Sequence, residues 1–168
     1  MSDRGLTHLD PLGRARMVDV TPKEATHRRA IARCRVNMQA ETTALVARGA
    51  VSKGDVLAVA RIAGIQAAKR TPDLVPLCHP IAIHGVTVDL EVDDDRVRIT
   101  ATVRTADRTG VEMEALTCVS VAALALVDMV KAVDPAAVIT DVRVEAKTGG
   151  ASGDWTREAS GEATGEPR

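Results

Sequence analysis

Residues Val86–Val103 read VTVDLEVDDDRVRITATV. Val86, Val88, Leu90 and Val92 alternate with Thr87, Asp89 and Glu91. After Asp93-Asp94-Asp95 the alternation resumes, with Val97, Ile99, Ala101 and Val103 set against Arg98, Thr100 and Thr102. Successive strand residues point to opposite faces, so each half presents one apolar and one polar face. Two such halves joined by a short acidic turn make an antiparallel hairpin with one face packed and one face wetted. The rest of the chain has to supply the layer that covers the apolar face.

Downstream, VEMEALTCVSVAALALVDMVKAV (Val111–Val133) predicts a long helix, apolar almost all round and stopped by Asp134-Pro135. Glu112 and Glu114 fall in its first turn, where acids complement the helix dipole. Val142, Val144 and Ala146 then suit a last strand. Upstream, Asp55 is positioned to cap a helix with Val56, Val59, Ala60, Ala63 and Ala67 on one stripe, ended by Pro72. A strand is expected over Ala30–Met38, and a short helix over Glu41–Arg48 closed by Gly49. The order strand, helix, strand, strand, helix, strand, with one extra short helix, predicts an α+β fold. It is the ferredoxin-like arrangement, a four-stranded antiparallel sheet with helices packed on one face. Residues 16–148 form the single domain expected, after a flexible N-terminal segment at 1–15. Residues 149–168, rich in Gly and polar side chains, are expected to be a loop and a mobile tail.

The 168 residues suit one domain. With no Phe, no Tyr and one Trp, the core must be built from Val, Ala, Leu and Ile. A net charge of -1 gives no global attraction to nucleic acid or an anionic membrane, and no 18-residue uncharged apolar run or signal-peptide pattern occurs. Cys34, Cys78 and Cys118 are an odd number in no disulfide or zinc pattern, which fits a cytoplasmic location. Arg outnumbers Lys by 17 to five, so Lys23, Lys53, Lys69, Lys131 and Lys147 each merit attention. Only Lys can shed a proton near neutrality in a suitable site.

Asp128 and Lys131 lie three apart on the long helix, on one face and within contact range. Such a pair in an otherwise apolar helix suits a cleft or an interface, where the Lys can act as acid or base. Glu112 and Glu114 stand at the other end, with Glu114 about 21 Å from Asp128 along the axis. One compact substrate cannot touch both ends within one chain; a second subunit or a long substrate would have to join them. AKTGGASGDW (Ala146–Trp155) offers backbone amides and Lys147 to a phosphate, and SKGDV sets Lys53 at a helix N-terminus. LVPLCHPI (Leu74–Ile81) admits three readings: a Cys-His catalytic pair, half a metal site, or a rigid proline-bracketed wall that hydrogen-bonds a ligand. Neighbours on an extended strand point apart, which weakens the first, and no further ligands follow at metal spacing, which weakens the second.

These motifs, in order from LTHLD at Leu6 through ARMVDV, KGDVLAVARIAGIQAAKRTPDLVPLCHP, GVEMEALTCVSVAALALVDMVKAV and AKTGGASGDW, resemble the cyclic pyranopterin monophosphate synthase family, the C proteins of molybdenum cofactor biosynthesis. The resemblance implies a ferredoxin-like lyase. It would convert 3',8-cyclo-7,8-dihydroguanosine 5'-triphosphate to cyclic pyranopterin monophosphate, releasing pyrophosphate. It implies dimers assembled into homohexamers with active sites at subunit interfaces, and an upstream radical enzyme that makes the substrate. No metal or organic cofactor is implied. By resemblance Asp128 and Lys131 are the catalytic, proton-transferring pair. Leu77, Cys78, His79, Met113 and Glu114 match substrate-contacting positions, with Glu112 in the same wall. Lys53, Lys147 and Arg28 match basic positions suited to the triphosphate. Residues 16–148 would then be the catalytic domain and the loop after Thr148 part of its active site.

Overall fold

A computed structural model describes residues 9–158. The expected flexibility at residues 1–8 and at residues 159–168 lies outside the described residues. The elements run β1 (Thr26–Asn37), α1 (Ala40–Ala47), α2 (Val56–Ala68), α3 (Thr71–Leu74), β2 (Gly85–Val92), β3 (Arg96–Asp107), α4 (Glu112–Val130), β4 (Val138–Thr148) and β5 (Trp155–Thr156).

The hairpin forms as its alternation requires, with Val86 opposite Val103 and Val92 opposite Val97. Strand β3 then continues past Val103 to pair with β1 along the whole of β1, from Thr26–Asp107 to Asn37–Arg96. The sheet order is β2-β3-β1-β4-β5, and every neighbouring pair is antiparallel. The sheet thus has five strands where four were expected. The fifth arises because Gly149 and Gly150, both at positive φ, reverse the chain so that Trp155 pairs with Lys147 and Thr156 with Ala146. The Asp154 carboxylate accepts from the Gly149 N–H at 2.9 Å and so closes the turn. Composition that reads as a linker is here a built reversal.

The helices cover the face presented by Ala30, Ala32, Cys34 and Val36 of β1 and by Val97, Ile99, Ala101 and Val103 of β3, all buried. Helix α4 lies over β1, β3 and β4, and α2 packs on α4 and β2. Small strand residues let α4 sit close, and it fills the space with Ala115, Cys118, Val119, Ala122, Ala123 and Leu126. Although α4 is long and apolar enough to cross a bilayer, its buried side is taken by the sheet and α2.

Local chemistry sets the boundaries. The Asp55 carboxylate caps α2 by accepting from the Ala58 N–H at 2.9 Å. The buried row of α2 is Val56, Ala60, Gly64 and Ala67, while Val59 of the expected stripe is exposed. Gly64 explains the rotation, since a Cβ there would sit 2.9 Å from the Cys118 carbonyl oxygen of α4. Pro72 does not simply end α2; it lies in the first turn of the four-residue α3. In β4 the register slips twice against β1, and Asp141 takes a positive φ. That irregularity leaves Val142 exposed, although plain alternation would turn it inward.

Candidate active site

The first turn of α4 faces a cavity of about 390 Å³ lined by Val18, Val20, Lys23, Leu77, Cys78, His79, Thr109, Gly110, Glu112, Met113 and Glu114. Five of the expected substrate-contacting residues, together with Glu112, therefore share one wall. Glu114 is only 3% exposed. Burial pushes its carboxyl up to about 7, the neighbouring Glu112 adds to that, and its own backbone N–H opposes it. A carboxyl group that changes charge near neutrality is thus held in the cavity wall.

The Cys78-His79 pair is not arranged as nucleophile and base. The Cys78 thiol is pushed up by burial and then by the charge of Glu114, away from the thiolate form. His79 instead has its Nε2 2.6 Å from the Val18 carbonyl oxygen. A carbonyl can only accept, so Nε2 carries the proton. Among the described residues no three His, Cys, Asp or Glu side chains gather as a metal centre would require.

A second cavity, about 230 Å³, adjoins the first across Lys23, Thr109, Gly110 and Glu112. Its lining is basic: Lys23, Arg28, Arg29, Arg108 and Lys147 surround the Thr148–Ser152 turn. Arg28 is fixed by donating its Nε to the Asp107 carbonyl at 2.9 Å. Lys147 lies 3.1 Å from a Glu112 carboxylate oxygen and donates to Ser152 Oγ at 2.8 Å. Gly149 is required at the turn because a Cβ would collide with the His27 carbonyl, and one on Gly150 would meet the Arg28 guanidinium. The loop backbone and the cations are packed too tightly for larger residues.

At the other end of α4, Lys131 Nζ lies 2.7 Å from one Asp128 carboxylate oxygen. Lys53, from the loop before α2, donates Nζ to the Asp128 carbonyl at 2.7 Å and sits 3.4 Å from its other carboxylate oxygen. Hydrogen bonds from Lys131 and then Lys53 hold the Asp128 carboxyl below its usual range. All three side chains are exposed. Lys53 therefore joins the Asp128–Lys131 pair and not the basic cavity.

Residues 17–150 match the MoaC family. The chain is 67% identical over 152 residues to a cyclic pyranopterin monophosphate synthase of Streptomyces coelicolor, covering 90% of this chain and 89% of that protein. It is 64% identical over 159 residues to the corresponding synthase of a Nocardioides species, covering 93% and 98% respectively. A cyclic pyranopterin monophosphate synthase 2 of Mycobacterium tuberculosis is 58% identical over 152 residues, or 90% of this chain and 91% of that protein. The chain belongs to the MoaC family.

In this MoaC-family chain the candidate residues form two groups at opposite ends of α4. Arg28, Leu77, Cys78, His79, Glu112, Met113, Glu114 and Lys147 surround the paired cavities. Lys53, Asp128 and Lys131 make the second group. Sequence reasoning did not assign Lys23, Arg29, Arg108 or Val18 to the site. Lys23 was marked only by the scarcity of Lys, and the others carry no motif; they arrive where the chain folds over the cavities.

Proposed function

We propose that this chain is a cyclic pyranopterin monophosphate synthase, a lyase of molybdenum cofactor biosynthesis acting on 3',8-cyclo-7,8-dihydroguanosine 5'-triphosphate and releasing pyrophosphate. The observation that carries the reading is the pairing of two unlike cavities, one walled by Glu112, Glu114, Cys78 and His79, the other by five cations. The first suits a polar heterocycle and the second a triphosphate. Arg28, Lys147 and their neighbours would neutralise the phosphates and the charge that grows on the departing pyrophosphate. Leu77–His79 and Met113–Glu114 form the wall against the base, with the Glu114 carboxyl positioned to bond its ring edge.

Proton transfer falls to Lys131 and Asp128, with Lys53 beside them. They lie too far along α4 to reach those cavities in the same chain, so the complete site is proposed to form between two copies. Glu114 and Asp128 are equally far in sequence from Val121. A two-fold axis at Val121 would lay two α4 helices antiparallel. It would bring the acidic end of one against the Lys53–Lys131 end of the other. The outer stripe of α4 suits this contact, with Leu124 58% exposed, Met113 exposed, and Thr117, Ser120 and Val121 partly exposed. The ferredoxin-like assignment is supported by the order of the first four strands; β5 is then an addition at one edge. A homohexamer built from such dimers, a cytoplasmic location and supply of substrate by an upstream radical enzyme complete the proposal.

The test is incubation of the purified protein with the cyclic nucleotide. Formation of cyclic pyranopterin monophosphate with stoichiometric pyrophosphate is expected. Tight binding of the nucleotide without turnover would overturn the enzymatic assignment.

A further inference from the structure

We propose that His79 acts as a positioning residue for Lys23, by holding Val18–Lys23 as a strap across the junction of the two cavities. This rests on the reading of those cavities as the substrate site. The strap belongs to no helix or strand. Two of its hydrogen bonds are internal: Thr21 N–H donates to the Asp19 carboxylate at 2.8 Å, and Lys23 N–H to the Val20 carbonyl at 3.0 Å. Among the described residues, the bond from His79 Nε2 to the Val18 carbonyl is the one hydrogen bond that ties 18–23 to the rest of the fold. The half-buried side chains of Val18 and Val20 line the first cavity.

The anchor is itself rigid. His79 is bracketed by Pro76 and Pro80, and the turn before it is closed by Cys78 N–H donating to the Val75 carbonyl at 3.0 Å. The strap ends on Lys23, a cation that lines both cavities and has no carboxylate partner among the described residues. With the base in one cavity and the phosphates in the other, that junction holds the phosphate attached to the sugar. Lys23 is thereby a substrate-contacting cation, and the proton on His79 Nε2 fixes where it stands.

Steady-state kinetics of Lys23→Ala, His79→Ala, the double variant and His79→Gln decide the matter. A charge-assisted hydrogen bond is worth about ten- to a hundredfold in binding, so each alanine variant should raise KM by at least about tenfold with a smaller change in kcat. The double variant should fall short of the product of the two single losses, because both changes weaken the same Lys23 interaction. His79→Gln, whose side-chain amide can donate to Val18, should be less impaired than His79→Ala. Independently of activity, His79→Ala should be cut faster by trypsin after Lys23. Multiplicative losses in the double variant, equal damage by Gln and Ala, or unchanged cleavage would overturn the proposal. A wild-type protein without turnover would instead contradict the assigned reaction, and the tryptic arm would still decide the strap.

Discussion

Two carboxylates on one helix meet opposite environments. Glu114 is buried and its carboxyl is raised to about 7 from an ordinary 4.5. A carboxyl raised on folding favours the protonated native state, so its ionisation costs stability as pH climbs between those two values. The cost is absent below 4.5 and complete above 7, where it reaches about 3 kcal/mol. Glu114→Gln should therefore melt like the wild type near pH 4.5 and at a higher temperature at pH 8, as thermal unfolding at the two pH values would register. Asp128 is the converse case, exposed and held ionised by Lys131 and Lys53. Exposed ion pairs add little to stability, so Asp128→Ala or Lys131→Ala should keep the wild-type melting temperature. Loss of a proton-transfer group should lower turnover by at least about 100-fold, measurable as pyranopterin formed per minute. Full activity in either variant would remove the pair from the mechanism.

At the scale of elements, the close contact of α2 with α4 depends on one missing side chain. Gly64→Ala would force a methyl against the Cys118 carbonyl. Overpacking of this kind costs about 1–3 kcal/mol, so the variant should melt lower while its unaltered site residues keep their kcat. Gly149→Ala combines a positive φ with a collision at the His27 carbonyl. It should loosen the turn beside Lys147 and weaken pyrophosphate binding, as calorimetric titration with pyrophosphate would reveal. Strands β2 and β3 were legible in the sequence because their period of two is regular, and helix α4 because a long apolar run opens with acids and is stopped by Asp134-Pro135. Strand β5 was not, since two glycines, an aspartate and a serine look alike in a linker and in a closed reversal. Nor was the outward turn of Val142, because a bulge obeys the partner strand's register and not the local pattern. In α2 the helical spacing placed Val56, Ala60 and Ala67 on the buried row, but not Gly64, which contributes no hydrophobicity and is recognised only by what lies against it.

For the whole molecule, α4 is the ruler. It separates the acid-lined and basic cavities at its N-terminal end from Lys53, Asp128 and Lys131 at its C-terminal end. The sequence already contained that spacing, as residue numbers on a continuous helix, but not the membership of each group. Lys53 moved to the Asp128 end, and Lys23, Arg29 and Arg108 were added around the cavities. The central claim is that two copies complete each other's sites, and mixing two inactive variants tests it most directly. Glu114→Ala and Asp128→Ala proteins, each without activity alone, are co-refolded or co-expressed and assayed for pyranopterin formation. If the site spans an isologous interface, half the dimers are mixed and each regains one intact site, so activity returns to about a quarter of wild type. If Glu114 and Asp128 serve within the same chain, the mixture stays as inactive as its components.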